Sequence, residues 1–233
     1  MVIKNRKTEW EQSYDNRDNF VFYPHEEIIR FVSKYVRKRT GLNNVEDIVA
    51  GSSPRRVLDL GCGIGRHVMY YHDMRLEAYG VDLSEYAIET AKEWAAMRDA
   101  PEIVSRVQAA DAQELPWSDG FFQFAVSHGV LDSMSFEIAK ATTRELARVM
   151  APEGLFYCDL ISGNDSQHAR EYSGEEVAEG QHETDTVQLY FNFELIKSLF
   201  GSLFEIVECN LIRREDVFKG GYTSRYHVVL RKL

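Results

Sequence analysis

Apolar positions along the chain gather into short continuous runs, separated by stretches with helical spacing. Val57, Leu58 and Leu60 form one run, and Tyr79 to Val81 lead a second up to Asp82. Phe121 to Ser127 and Leu155 to Leu160 form two more. Short unbroken runs of this kind suit strands buried on both faces. Ile103 to Val107 predict a weaker third strand between the second and fourth. Ala87, Ile88, Ala91, Trp94 and Ala95 predict a helix, with Ser84 as its N-cap. Ile138, Thr142, Leu146 and Val149 make one stripe of a helix over 136–150. Asn192 caps a helix through Phe200 that Gly201 ends. Phe204 to Ile212 and Arg225 to Leu230 are rich in β-branched residues and read as two last strands.

The N-terminal part follows another pattern. Residues 1–23 are polar with interleaved aromatics, among them Trp10 and Tyr14. Pro24 suits a first helical turn, and Ile28, Val32, Tyr35 and Val36 keep helical spacing to about Arg39. Residues 41–55 read as a linker. This divides the chain into a helical appendage and lid over residues 1–50 and a main domain over residues 51–233. Residues 161–187 are polar and without period, and a loop of that length is usually functional or disordered.

The candidate chemistry begins where the first strand ends. Gly61, Gly63 and Gly65 allow a tight turn against which a ligand can lie. The spacing is G-x-G-x-G, because Arg66 occupies the place where a dinucleotide site has glycine. Asp82 ends the second strand, about 20 residues after the first glycine, where an acid can accept both ribose hydroxyls. Asp111 and Ala112 follow the third strand. Ser127 and His128 stand at the end of the fourth, where ligands of open α/β sheets gather. His128 also reads as a plain packed histidine. Cys62 is either a small residue tolerated between glycines or a reactive thiol.

The passage Asp59-Leu60-Gly61-Cys62-Gly63-Ile64-Gly65-Arg66-His67, followed by Gly80-Val81-Asp82-Leu83-Ser84, resembles the first two motifs of class I S-adenosylmethionine-dependent methyltransferases. Arg148-Val149-Met150-Ala151-Pro152-Glu153-Gly154 is similar to that family's R-V-L-K-P-G-G passage, with Ala151 and Glu153 departing from it. The resemblance covers about residues 50–233. It implies an α/β, Rossmann-like sheet of seven mostly parallel strands with one antiparallel C-terminal strand, and helices on both faces. It implies S-adenosyl-L-methionine as cofactor and no metal. Gly61, Cys62, Gly63 and Gly65 would meet the methionine part. Asp59 would orient its ammonium group, Arg66 could reach its carboxylate, and Ser127 and His128 would offer backbone. Asp82 would take the ribose, Leu83 the near side of the adenine, and Asp111 and Ala112 the far side. Trp10 and Tyr14 could face the sulfonium, since aromatic faces attract cations. Residues 161–187 would form a substrate lid, with His168 and Arg170 as candidate contacts. His128 and His168 are the candidate general bases for an acceptor with a poorly acidic proton.

Composition narrows the partners. The chain has 233 residues, 44% of them hydrophobic, which suits one α/β domain with additions. A net charge of -10 argues against a nucleic-acid partner. Arg30, Lys34, Arg37, Lys38 and Arg39 do cluster, at the expected end of a helix, where cations complement the dipole. No apolar run reaches the length of a membrane span, so a cytoplasmic protein without a membrane partner is expected. Cys62, Cys158 and Cys209 stand too far apart for a disulfide framework or zinc spacing. The chain lacks the Asn/Asp-Pro-Pro-Tyr/Phe passage of amino-group methylating DNA and protein enzymes. Trp10-Glu11-x-x-Tyr14 looks similar to bacterial enzymes acting on sugars or other metabolites. The expected acceptor is a small soluble molecule, with a hydroxyl or an amine as the methylated group. The oligomeric state is open, and the alternative is a non-catalytic cofactor-binding sensor or partner subunit.

Overall fold

Neighbouring apolar residues of the central strands face opposite ways, and helices must therefore cover both sides of the sheet. Val57, Phe124, Val126 and Tyr157 point into one core, and Leu58, Leu60, Ala125 and Phe156 into the other. The computed structural model describes residues 6–17, 19–48, 55–168, 171–177 and 187–233. Its main sheet has seven strands: β1 (Arg56–Leu60), β2 (Glu77–Asp82), β3 (Val107–Ala109), β4 (Phe122–Ser127), β5 (Met150–Ile161), β6 (Phe204–Glu215) and β7 (Tyr222–Lys232). Their order is β6-β7-β5-β4-β1-β2-β3. β7 runs antiparallel to both β5 and β6, and the pairs joining β1 to β5 are parallel. This is the expected sheet.

The helices are α1 (Lys7–Asp15), α2 (Glu26–Phe31), α3 (Arg66–Asp73), α4 (Glu85–Met97), α5 (Pro101–Val104), α6 (Phe136–Val149) and α7 (Phe193–Phe200). Residues of α2, α3 and α4, such as Phe31, Tyr71 and Ile88, fill one core; those of α6 and α7, such as Leu146 and Leu199, fill the other. Ser84 and Asn192 cap α4 and α7 as expected, each accepting a backbone N–H. Among the described residues no helix is long and apolar enough to cross a membrane.

Three expectations are corrected. The helix predicted to reach Arg39 loosens into a π-turn over Val32–Val36, and Arg37–Arg39 pairs as a strand with Val45–Asp47. Of the basic cluster, Arg30 and Lys34 stand in last helical turns, and Arg37, Lys38 and Arg39 do not sit at a helix end. Arg37 pairs with Asp47 at 2.6 Å and donates to the Met74 carbonyl at 3.1 Å, while Lys34 pairs with Glu208 at 2.5 Å. The third strand lies later than Ile103, because Pro101 opens the short α5, whose Ile103 is buried. The stretch 161–187 is not wholly irregular, since Gly174–Val177 pairs with Val187–Tyr190. Arg170 lies outside the described residues.

Helix α1 is tied to the domain at the start of α4. The Glu11 carboxylate of α1 accepts from Ser84 Oγ and the Glu85 N–H, both at 2.7 Å, and from the Tyr86 N–H at 3.2 Å. These N–H groups begin α4 and have no partner within the helix. A carboxylate there also meets the positive end of the helix dipole. Lys7 adds an ion pair to Glu85 at 2.5 Å.

Candidate active site

The strand order reverses between β1 and β4, and a crevice opens there at their carboxyl ends. The glycine turn forms its floor. Gly61 and Gly63 hold φ of +72° and +53°, a region that disfavours side chains. A Cβ on Gly63 would also stand 2.6 Å from the Tyr14 hydroxyl. Four of the turn's N–H groups are consumed internally. Those of Gly61 and Cys62 donate to the Val81 carbonyl at 2.8 and 2.9 Å, and that of Gly65 to the Cys62 carbonyl at 2.9 Å. The Gly63 N–H donates to Asp82 Oδ2 at 2.8 Å. A diphosphate site needs such groups pointing outward; here four of them are bonded inward.

Asp82 joins the turn to α4, because its other oxygen accepts the Ser84 N–H at 2.9 Å. Burial pushes its carboxyl up to about 6, against the opposing pull of these two N–H donors. Each oxygen keeps a further lone pair for a ligand.

A cavity of about 850 Å³ lies over the turn. Of the residues singled out from the sequence, Gly61, Cys62, Gly63, Arg66, Asp82 and Leu83 line it. So do Asp111, Ala112 and His128 from across the crevice, and Trp10 and Tyr14 from α1. Gly65 lies behind them as the N-cap of α3. Ser127 is buried at 1% exposure, and its hydroxyl has no hydrogen-bond partner among the described residues. Asp59 is fully buried beneath the turn, with His67 Nδ1 3.5 Å from its carboxylate. His168 is not among the cavity-lining residues. Asp165 and Glu176 hold its ring nitrogens at 2.8 and 3.1 Å, and it stacks on Tyr172 at 4.4 Å. The hydrogen bond to Asp165 raises its pKa. Burial pushes the Cys62 thiol well above its ordinary value, so Cys62 acts as a small apolar filler.

The sequence reading missed several lining residues. Val130, Ser133 and Met134 follow β4, Ile138 and Thr142 come from α6, and His67 from α3. The α6 stripe carried a signal for Ile138 and Thr142, but it also reads as ordinary core.

Around His128 the charges interlock. Its Nδ1 is 3.3 Å from Arg66 Nη2, and its Nε2 is 3.7 Å from Asp159 Oδ2. Burial, opposed by Asp159, lowers its pKa to about 3, so the ring is neutral at physiological pH. Burial alone would raise the Asp159 carboxyl, but Arg225 and His128 outweigh it and hold that carboxyl below its ordinary value. Asp159 also accepts the Gly129 N–H at 2.8 Å and Arg225 Nε at 2.7 Å. Arg225 bonds Asp132 as well, whose carboxylate accepts the Ile161 N–H at 2.8 Å. One guanidinium thus braces the loop after β4 that forms a wall of the cavity. His67 accepts the His25 N–H at Nε2, 3.3 Å away, which places its own proton on Nδ1, facing Asp59.

Residues 58–158, from β1 to β5, match the family model of a methyltransferase domain. This stretch is a methyltransferase domain by that match. The match contains the glycine turn, Asp82, Asp111 and His128 in one register. A probable chloroplastic tocopherol O-methyltransferase of Oryza sativa is 35% identical over 104 residues, 44% of this chain and 28% of that protein. The matched stretch spans less than half the length of the curated relatives. Among solved structures, the 1,6-didemethyltoxoflavin-N1-methyltransferase of Burkholderia thailandensis aligns with a TM-score of 0.69 at 17% identity, over 97% of this chain and 86% of that one. The [4+2]-cyclase SpnF aligns with a TM-score of 0.58 at 20% identity, over 77% of this chain and 75% of that one. These likenesses show a shared fold, and the cyclase shows that the fold alone does not set the reaction.

Proposed function

We propose that the chain is an enzyme that moves a methyl group from S-adenosyl-L-methionine to a small soluble acceptor. The observation that carries this reading is the turn below the cavity, with the N–H groups of Gly61, Cys62, Gly63 and Gly65 bonded inward. It suits a nucleoside without a diphosphate. The cofactor, when bound, supplies a methyl group already activated on a positive sulfur.

The residues then have mainly to bind, orient and exclude water. Asp82 accepts the ribose hydroxyls with the lone pairs that Gly63 and Ser84 leave free. Leu83 covers one face of the adenine, and Asp111 and Ala112 its far edge. The methionine part lies on Gly61, Cys62 and Gly63. Trp10 and Tyr14 close the cavity from α1 and offer aromatic faces to the sulfonium. Asp59, buried under the turn, supports His67 rather than touching the ligand.

The rival reading is a domain that binds the cofactor without transferring methyl, which the cyclase's shared fold keeps in view. Incubation with methyl-labelled S-adenosylmethionine and a panel of metabolites separates the two. Label transferred to at least one small acceptor supports the enzyme. Tight binding with no transfer to any member supports the rival.

A further inference from the structure

If the cavity is a methyl-transfer site, its walls also constrain the acceptor. A poorly acidic alcohol needs a base within hydrogen-bond reach. Most titratable groups lining the cavity are already engaged or are poor bases. His67 uses one nitrogen to accept the His25 N–H and turns the other to Asp59. His128 accepts from Arg66 at Nδ1, its Nε2 stands 3.7 Å from Asp159 without a hydrogen bond among the described residues, and burial makes it a very weak base. From α1, Glu9 pairs with Arg6 at 3.2 Å, and burial pushes the Tyr14 hydroxyl well above its ordinary value. Asp82 holds the glycine turn, and Asp111 accepts from the Gln113 N–H at 2.9 Å. Among the described residues Arg66 lines the same wall with no carboxylate partner; its bond is to a neutral imidazole. A guanidinium in that setting still has donors for an anion. Val21, Val130 and Val187 supply apolar surface to the same cavity.

We propose that the acceptor is a ring-bound acidic hydroxyl, taken in as its anion, and that Arg66 is the cation that holds it. A lone pair of the anionic oxygen forms the new bond to the methyl carbon. The carbon–sulfur bond breaks with its electrons left on sulfur. No proton moves, so no base is required, and the anionic and sulfonium charges cancel in the products. This inference rests on the methyltransferase reading and departs from it in excluding sugar-type hydroxyls. It also takes Arg66 from the cofactor's carboxylate and gives it to the acceptor.

The test uses the full chain, labelled S-adenosylmethionine and a series of ring-substituted phenols of graded acidity, with benzyl alcohol as the non-acidic control. Phenols are expected to be methylated and benzyl alcohol not. The rise of kcat/KM with pH should break at each phenol's own pKa and move with the substituent. Arg66→Gln should raise the phenol KM about ten-fold or more, with S-adenosylhomocysteine affinity changed less than about three-fold. Arg66→Lys should restore part of the loss, as a point charge does. A break at one fixed pH for every phenol, equal use of benzyl alcohol, or a loss falling on S-adenosylhomocysteine instead overturns the proposal. Transfer to no phenol overturns it too, and S-adenosylhomocysteine binding in the same samples then tells whether the methyltransferase reading survives.

Discussion

Asp82 must be ionised to accept two hydroxyls, yet burial holds its pKa near 6. Its folded value lies above the ordinary 3.8, so the folded chain binds the extra proton between these pH values. Its contribution to stability is therefore full below the unfolded pKa and lost as pH rises through the folded one. Cofactor affinity runs the other way. S-adenosylhomocysteine affinity should be constant above pH 7 and fall towards ten-fold per unit below about pH 6, as read by calorimetry. A flat profile from pH 7 to 5 would remove Asp82 from the binding set. Asp82 and the glycines were legible in the sequence because a fixed local spacing carries them. The engagement of His67 and His128 was not, since it brings His25 and Asp159 from distant parts of the chain to the Asp59–Arg66 passage. His168 looked free in a polar loop, and only the folded chain shows Asp165, Glu176 and Tyr172 around it.

At the scale of elements, α1 depends on Glu11. Removing that carboxylate leaves the first N–H groups of α4 without it and takes away the main polar tie of α1. Glu11→Ala should cost about 1 kcal/mol, the usual size of a lost helix cap. Hydrogen exchange across Lys7–Asp15 should rise, while exchange in β1 and β4 stays unchanged. Equal protection of α1 in both proteins would show that Glu11 does not hold it. Burial raises and its three hydrogen bonds lower the Glu11 pKa, and the net shift is downward. This tie is therefore present at neutral pH and lost on acidification through the folded pKa. The strands and capped helices of the sheet were legible from apolar runs and caps. The errors fell where tertiary partners override local pattern. Arg37 leaves a helical register for Asp47, and Pro101 starts a helix inside an apolar run.

Across the whole molecule, acid should act through buried imidazoles. Burial lowers the pKa of His25, His128 and His227, which lie in one file with ring centroids 4.3 Å (His25–His128) and 6.3 Å (His25–His227) apart. The unfolded chain takes up protons near the ordinary value of 6.5, whereas these folded sites do so only at lower pH. Stability is thus undiminished above 6.5 and falls as pH drops below it, by up to ~1.4 kcal/mol per unit for one such group. His128→Asn should flatten the decline of Tm between pH 6.5 and 5; an unchanged slope would show that His128 does not contribute to it. Sheet order and switch point could be expected from the alternation of strands and helices with the resemblance, because one chain reversal sets where ligands bind. The cavity's depth could not, since it needs α1, the loop after β4 and α6 brought together.

The central claim is a cradle for an adenosyl sulfonium with no place for a diphosphate. Calorimetric titration of the purified chain with S-adenosylhomocysteine and, separately, with NAD tests it most directly. The account predicts saturable binding of S-adenosylhomocysteine at one site per chain, weakened at least about ten-fold by Asp82→Ala, and no binding of NAD. Binding of NAD with indifference to S-adenosylhomocysteine would contradict it.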